Sequence, residues 1–205
     1  KQLTLKPYGF ALCKLFYAFC LACCAIVVAV RIALFLMASI KIATLNCRGL
    51  MSPAKRRRLN LYVKQHRVDI LLLQETHVAD NSLMTEIANE WGMRGYWSLG
   101  SYQSKGVAIL FKQSLNVTHN CHFRDSDGRL VVVNMKMGDE NFRLINIYAP
   151  NKARERYNFF KAVEDRLHAP GIRVLVAGDF NCVEDASLDR ITTPGNRVVF
   201  YDIKL

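Results

Sequence analysis

An α/β fold, with sheets and helices packed outside them, is what this sequence predicts, and three observations predict it. Strand-like segments, apolar or alternating, interleave along the chain with segments whose apolar residues recur at helical spacing. From Ile40 onward no internal repeat and no linker interrupts that alternation. The chain has 205 residues, of which 51% are hydrophobic, enough for one domain with a real core and too apolar for disorder.

The elements follow in order. Residues 40–46 read as a short apolar strand. Ser52-Pro53 opens a helix, with Ser52 as N-cap and Pro53 in the first helical position. Leu59, Tyr62, Val63 and His66 then recur at helical spacing. Residues 69–74 form a buried strand, and 82–91 repeat the helical pattern through Leu83, Ile87 and Trp91. Four strand segments follow, 96–99, 106–111, 129–135 and 142–149, with Asp127-Gly128 as a turn before the third. The fourth alternates with period two, which puts Phe142, Leu144, Asn146 and Tyr148 on one face. Residues 155–167 are helical, with Phe160, Val163 and Leu167 on one side, and His168-Ala169-Pro170-Gly171 ends that helix. A last buried strand, 173–177, runs into Gly178-Asp179. Trp91, Trp97, Phe159 and Phe160 are expected in the core.

Residues 1–36 stand apart from the globular part, 37–205. Residues 9–39 are intensely apolar, with an unbroken run from Leu15 to Val30 before Arg31. That run is shorter than the ~20 residues that span a bilayer, although Arg31 could snorkel. A membrane anchor, a signal peptide and translated upstream sequence all fit. The opening on Lys1 rather than Met, and Met37 just before the first strand, favour the last.

The formal net charge is +11, from 28 Lys and Arg against 17 Asp and Glu. Only Lys1, Lys6, Lys14 and Arg31 of these lie in residues 1–36, so the globular part is itself basic and suits a polyanionic partner. Seven cysteines, four of them in the first 24 residues, are odd in number and widely spaced. They do not form a secreted disulfide framework and point to the nucleus or cytoplasm, with a membrane location as the alternative.

Four segments carry chemistry, each where a strand ends: Asn46-Cys47-Arg48-Gly49, Gln74-Glu75-Thr76-His77, Asn146-Ile147-Tyr148-Ala149-Pro150-Asn151 and Gly178-Asp179-Phe180-Asn181. Phosphodiester hydrolysis needs a divalent cation, an activated water and donors for the developing charge. Glu75, after the apolar run Ile70-Leu71-Leu72-Leu73, suits a Mg²⁺ ligand, with Asn46 offering a neutral oxygen and an amide donor beside it. Asp179 can deprotonate water, and Asn181 and Tyr148 can donate to a phosphate oxygen. Singly, each residue reads as a cap, a solvated acid or a packing aromatic. Four in order, each after a strand, form the layout of a metal-assisted phosphodiesterase.

With Leu188-Asp189-Arg190 added, these segments resemble the endonuclease–exonuclease–phosphatase superfamily over about residues 38–192. Within it they are similar to the apurinic-type endonucleases of non-LTR (long interspersed) retrotransposons. Tyr148, where secreted deoxyribonucleases of the superfamily carry His, favours that exonuclease III-like branch. The resemblance implies a two-sheet α/β sandwich of the DNase I type with helices outside. It implies Mg²⁺, or Mn²⁺, at Glu75 with Asn46 close by. Tyr148 and Asn181 would contact the scissile phosphate, and Asp179 would serve the nucleophilic water. DNA would be the partner, with a reverse transcriptase module expected downstream.

Arg48, Lys55, Arg56, Arg57, Arg58 and Asn151 are the candidate DNA-backbone contacts, although Lys55–Arg58 also reads as a solvated helix face. The family's later Ser-x-Ile-Asp-like and Ser-Asp-His segments have no counterpart in residues 191–205. The second sheet is therefore expected to be incomplete. None of His66, His77, His119, His122 and His168 sits in the context of the family's catalytic His. His77 reads as a local hydrogen-bonding residue. The alternatives are a non-catalytic DNA-binding remnant, and a membrane-anchored phosphatase or phosphodiesterase that uses residues 9–39. The expected outcome for residues 37–205 in a Mg²⁺-dependent nicking assay is little or no turnover. Normal turnover would remove the need for the missing His.

Overall fold

The computed structural model describes residues 26–33, 39–167, 170–182 and 199–203. The elements run β1 (Ile26–Ala33), β2 (Ser39–Asn46), α1 (Pro53–Gln65), β3 (Ile70–Gln74), α2 (Asn81–Trp91), β4 (Met93–Ser98), β5 (Val107–Lys112), β6 (Thr118–Arg124), β7 (Leu130–Met137), β8 (Glu140–Tyr148), α3 (Ala153–Glu164), β9 (Arg173–Asp179) and β10 (Val199–Ile203). They form two mixed sheets, ordered β10-β1-β2-β3-β5-β4 and β6-β7-β8-β9. The two-sheet α/β architecture is the expected one. The second sheet has four strands among the described residues, and Val174 on its edge strand β9 is exposed.

Alternation along the strands sorts the core into layers. Leu71 and Leu73 of β3 join Val63 of α1 and Ile87 and Trp91 of α2 on one side of the first sheet. Ile70 and Leu72 face the other way, toward Val131, Val133, Phe142 and Leu144 of the second sheet. Ile145 and Ile147 of β8 pack with Val163 of α3 and with Phe180. The order is therefore helices, sheet, sheet, helix. The predicted face of β8 is correct: Phe142, Leu144 and Tyr148 belong to the inter-sheet layer, and Asn146 is fully buried.

The helix ends follow from local chemistry. Ser52 caps α1 by accepting from the Lys55 N–H, and Pro53 starts it. Asp80 caps α2 by accepting from Leu83 N at 2.9 Å, and Gly92 ends it at φ 62°. Three strands lie outside the predicted set. β6 reads Thr-His-Asn-Cys-His-Phe-Arg, with no apolar alternation, because it is an edge strand exposed along much of its length. β1, within the apolar N-terminal segment, pairs antiparallel with β2 and parallel with β10. Among the described residues no helix is long and apolar enough to cross a membrane. The rest of residues 1–36, the helix-ending His168-Ala169 and Leu188-Asp189-Arg190 lie outside the described residues.

One expectation for the basic run needs correction. Arg56 is only 2% exposed. Its guanidinium donates to both oxygens of Glu90 at 2.9 Å, to Glu86, and to the Leu50 and Met51 carbonyls. It ties α1 to α2 and presents nothing to a DNA backbone, whereas Arg57 and Arg58 are exposed. A buried cation loses much more than a surface one when its partners are left behind. Arg56→Ala should lower unfolding free energy by about 2–3 kcal/mol in urea denaturation, because its acids are partly solvated. Arg57→Ala and Arg58→Ala should stay within about 0.5 kcal/mol of wild type.

Candidate functional site

Strand direction and period two bring the predicted residues together. β2 and β3 are parallel, with Asn46 opposite Gln74, and β8 and β9 are parallel, with Tyr148 opposite Asp179. Asn46, Tyr148 and Asp179 are thus the last residues of their strands. Tyr148 shares its face with Phe142 and Leu144, and Asp179 shares its own with Leu175 and Ala177, all in the inter-sheet layer. Asn46 shares its face with Ile40 and Ile42 of the same layer. The three meet at one end of the sandwich.

Glu75 needs a further device. It follows Gln74 and by alternation would point away from that layer. Its backbone instead turns left-handed, at φ 51°, which ends the alternation. Arg48, His77 and Asn181, in the loops around it, are also left-handed, at φ 47°, 55° and 47°. Such conformations cost non-glycine residues on the order of 1–3 kcal/mol each and gather where function requires them. Gly178 is needed for a steric reason. A Cβ there would lie 2.0 Å from the Ile147 carbonyl oxygen, so only glycine lets β9 pair closely just before Asp179.

The centre of the site is one amide between two carboxylates. Asn46 Nδ2 donates to Glu75 Oε1 at 2.8 Å and to Asp179 Oδ2 at 2.7 Å. Asn46 Oδ1 accepts from Arg48 N at 3.2 Å and keeps its second lone pair, so the neutral oxygen expected there is present. The Tyr148 hydroxyl lies beside the Glu75 carboxylate. Asn181 donates from its backbone to Asp179 Oδ1 at 3.0 Å and from Nδ2 to the Ala149 carbonyl at 2.7 Å, which ties the β9 loop to the β8 loop. His77 Nε2 stands 3.8 Å from Glu75 Oε2, and Gly49 packs against its ring. Lys55 Nζ donates to the Arg48 carbonyl at 2.7 Å, and Asn151 is exposed beside Tyr148's loop with its carbonyl held by Arg156. His119 lies elsewhere, stacked on Phe111 and bonded to the Tyr96 hydroxyl.

Sequence reasoning missed two features. Arg129 sits over the Tyr148 ring, 5.1 Å from its centroid, and donates to the Tyr148 carbonyl at 3.1 Å. Asp127 holds it at 3.1 Å while also pairing with Lys105. Gln74 and Asn146 meet in the core behind the site, Gln74 Nε2 donating to Asn146 Oδ1 at 2.6 Å. An amide on the predicted core face of β8 was the available signal, since a buried amide must find a partner.

The donor set fits a hard divalent cation. Glu75 and Asp179 offer carboxylate oxygens on one amide, and the nearby Cys47 thiol is buried and turned to the Gln74 and Glu75 carbonyls instead. Among the described residues no cluster of three His, Cys, Asp or Glu exists. Water and substrate oxygens would complete the shell, as is usual for Mg²⁺.

Burial, and then the Glu75 carboxylate beside it, push the Tyr148 hydroxyl up to about 12; Asp179 adds to the rise and Arg129 opposes it. Tyr148 is therefore a proton-holding donor at neutral pH. An unfolded tyrosine releases its proton near ~10. The stability Tyr148 contributes is thus whole below that pH and is lost as pH rises toward its native value. In urea denaturation, wild type should exceed Tyr148→Phe in stability by more at about pH 8 than at about pH 11.

Known proteins resemble this chain in sequence and in fold. A family model described as the Endonuclease/Exonuclease/phosphatase family matches residues 43–198. The chain is 27% identical over 150 residues to the "Transposon TX1 uncharacterized 149 kDa protein" of Xenopus laevis, covering 72% of this chain and 11% of that protein. It is 31% identical over 176 residues to "DNA repair nuclease APEX1" of Danio rerio, covering 78% of this chain and 54% of that one. It thus spans little more than half of the latter and a small part of the former. Among solved structures, the endonuclease domain of TRAS1, a telomere-specific non-LTR retrotransposon, superposes with a TM-score of 0.54 at 18% identity. That match covers 71% of this chain and 62% of the other, and shares the fold.

Proposed function

Because this chain belongs to the endonuclease/exonuclease/phosphatase family, we propose that its site hydrolyses phosphodiester bonds of DNA with Mg²⁺ or Mn²⁺ held at Glu75. The observation that carries the reading is the Asn46 amide bonded to both Glu75 and Asp179, which joins the two sheets at one acidic centre. This is a preorganised acidic centre with neutral donors around it. DNA as substrate draws support from the repair nuclease and the transposon protein among the relatives, and from the basic balance of the chain.

The residues divide the work by their chemistry. A divalent cation, when bound, neutralises phosphate charge and polarises the phosphorus–oxygen bond. Asp179 takes the proton of a water whose oxygen bonds to phosphorus, while the bond to the 3′ oxygen breaks. The departing oxygen gains a proton, leaving a 3′-hydroxyl and a 5′-phosphate. Such a hydroxyl could prime reverse transcription if a polymerase module accompanied the chain. Tyr148, held protonated, would turn its single O–H from Glu75 to a phosphate oxygen, and the second N–H of Asn181 would donate beside it. Asn46 keeps the two carboxylates oriented and lowers their mutual repulsion. Arg48, Lys55 and Asn151 border this end, and with Arg57 and Arg58 they are the proposed backbone contacts.

The test is duplex-DNA binding by fluorescence anisotropy beside plasmid nicking, each with Mg²⁺, Mn²⁺ or EDTA. Metal-strengthened binding should weaken at least about tenfold in Glu75→Gln. Any nicking the chain supports should fall about a hundredfold or more in Asp179→Asn. Salt-sensitive binding that ignores the metal and both substitutions would overturn the reading and leave a basic surface without chemistry.

A further inference from the structure

We infer that the buried Gln74–Asn146 amide pair is the positioning device that sets Glu75 of the first sheet against Tyr148 and Asp179 of the second, and so sets the site's affinity for a divalent cation. This rests on the metal reading above and adds residues that no family motif assigns to metal or phosphate.

Neither amide can touch substrate, since Asn146 is 0% and Gln74 1% exposed. What they do is cross the layer between the sheets. Asn146 belongs to β8, yet its hydrogen bonds go to the opposite sheet. Its Nδ2 donates to the Leu73 and Ala108 carbonyls, each at 2.8 Å, on β3 and β5. Its Oδ1 accepts from Gln74 Nε2 at 2.6 Å, and Gln74 Nε2 also donates to Thr44 Oγ1 of β2 at 3.0 Å. One side chain thereby ties β8 to strands β3 and β5 directly, and to β2 through Gln74.

The location gives these bonds their consequence. Gln74 is covalently next to Glu75 and is paired in register with Asn46. Asn146 is two residues before Tyr148, which pairs with Asp179. Apolar contacts elsewhere in the layer, such as those of Leu72 and Leu144, hold the sheets together but are non-directional and tolerate sliding. Hydrogen bonds in a water-free layer do not, because a shift leaves buried donors and acceptors unpaired. Polar groups of this kind are the expected exception to an apolar core where a site must be held in register.

A purely structural pair would make the same bonds, so the experiment separates stability from position. Three variants are compared with wild type for urea midpoint and for Mn²⁺ affinity measured by calorimetry: Asn146→Leu, the double Gln74→Leu/Asn146→Leu, and Leu144→Ala. Removing both amides takes away the Gln74 donor that Asn146→Leu leaves short of a partner but not the Leu73 and Ala108 carbonyls, which lose the Asn146 donor, so the double should regain at most part of the midpoint that Asn146→Leu loses. Its Mn²⁺ affinity should nonetheless stay about tenfold weak, as in the single variant. Leu144→Ala should lose stability and keep Mn²⁺ affinity. A double variant that binds Mn²⁺ as wild type does overturns the inference, as does an equal loss of affinity in Leu144→Ala. If the double fails to fold, Asn146→Ser against Leu144→Ala, matched for loss of midpoint, decides the same question. Wild type that binds no Mn²⁺, or binds it unchanged in Glu75→Gln, instead sinks the metal reading, and the inference with it.

Discussion

Between the two sheets the apolar layer ends in polar groups, and everything at the site depends on how that end is closed. Hydrophobic contact supplies most of the cohesion, through Ile70, Leu72, Val131, Val133, Phe142 and Leu144. It does not by itself fix which residue of one sheet faces which residue of the other. Gln74 and Asn146 do, with bonds that reach from β8 to β3 and β5. One step nearer the solvent, Asn46 repeats the motif by bonding Glu75 of one sheet and Asp179 of the other. The same chemistry, an amide spanning the sheets, passes from a dry setting to a wet one. In the dry setting it holds position, and in the wet setting it orients carboxylates.

Local rules are broken where the chemistry sits. Four non-glycine residues in the three loops after Asn46, Gln74 and Asp179 take left-handed backbone, among them Glu75 and Asn181. Ordinary strand continuation would have directed Glu75 into the helix-facing layer that Leu71 and Leu73 occupy. The cost of that turn is offset by the hydrogen-bonded framework around it: Cys47 N to the Gln74 carbonyl, Gly49 N to that of Glu75, and Leu50 N to that of Thr76. Each loop is thus held by the other, and a strained conformation persists because its surroundings over-determine it.

The basic run on α1 shows how one sequence feature separates into two physical roles. Lys55 and Arg56 turn inward to carbonyls of the Arg48–Met51 loop, and Arg56 is neutralised by Glu86 and Glu90. Arg57 and Arg58 remain outside. Arg56 is therefore internal scaffolding between the two helices and the loop after Asn46. Lys55, bonded only to a neutral carbonyl, and the exposed Arg57 and Arg58 still add to the field that a polyanion would feel.

Most of the architecture was legible because it rests on periodicity. The helix start at Ser52-Pro53, the buried strand at 70–74 and the inward face of β8 each leave a local mark that one stretch of sequence displays, and the strand at 173–179 is where it was expected, although as an edge strand it is half-buried to exposed rather than buried. The candidate site residues were legible for the same reason, since Asn46, Tyr148 and Asp179 close strands and Glu75 directly follows one. β6 was not legible, because an edge strand need not alternate, and Arg56 was misread because burial of a charge depends on acids 30 and 34 residues away. Side-chain pairings between the sheets, Gln74 with Asn146 and Asn46 with Asp179, and one within the second sheet, Arg129 with Tyr148, were decided only in the tertiary structure. They join residues separated by 72, 133 and 19 positions, and no local pattern encodes which distant partner a buried polar group will meet. By itself the sequence determined which side chains stand at strand ends; packing decided which of them share a hydrogen bond.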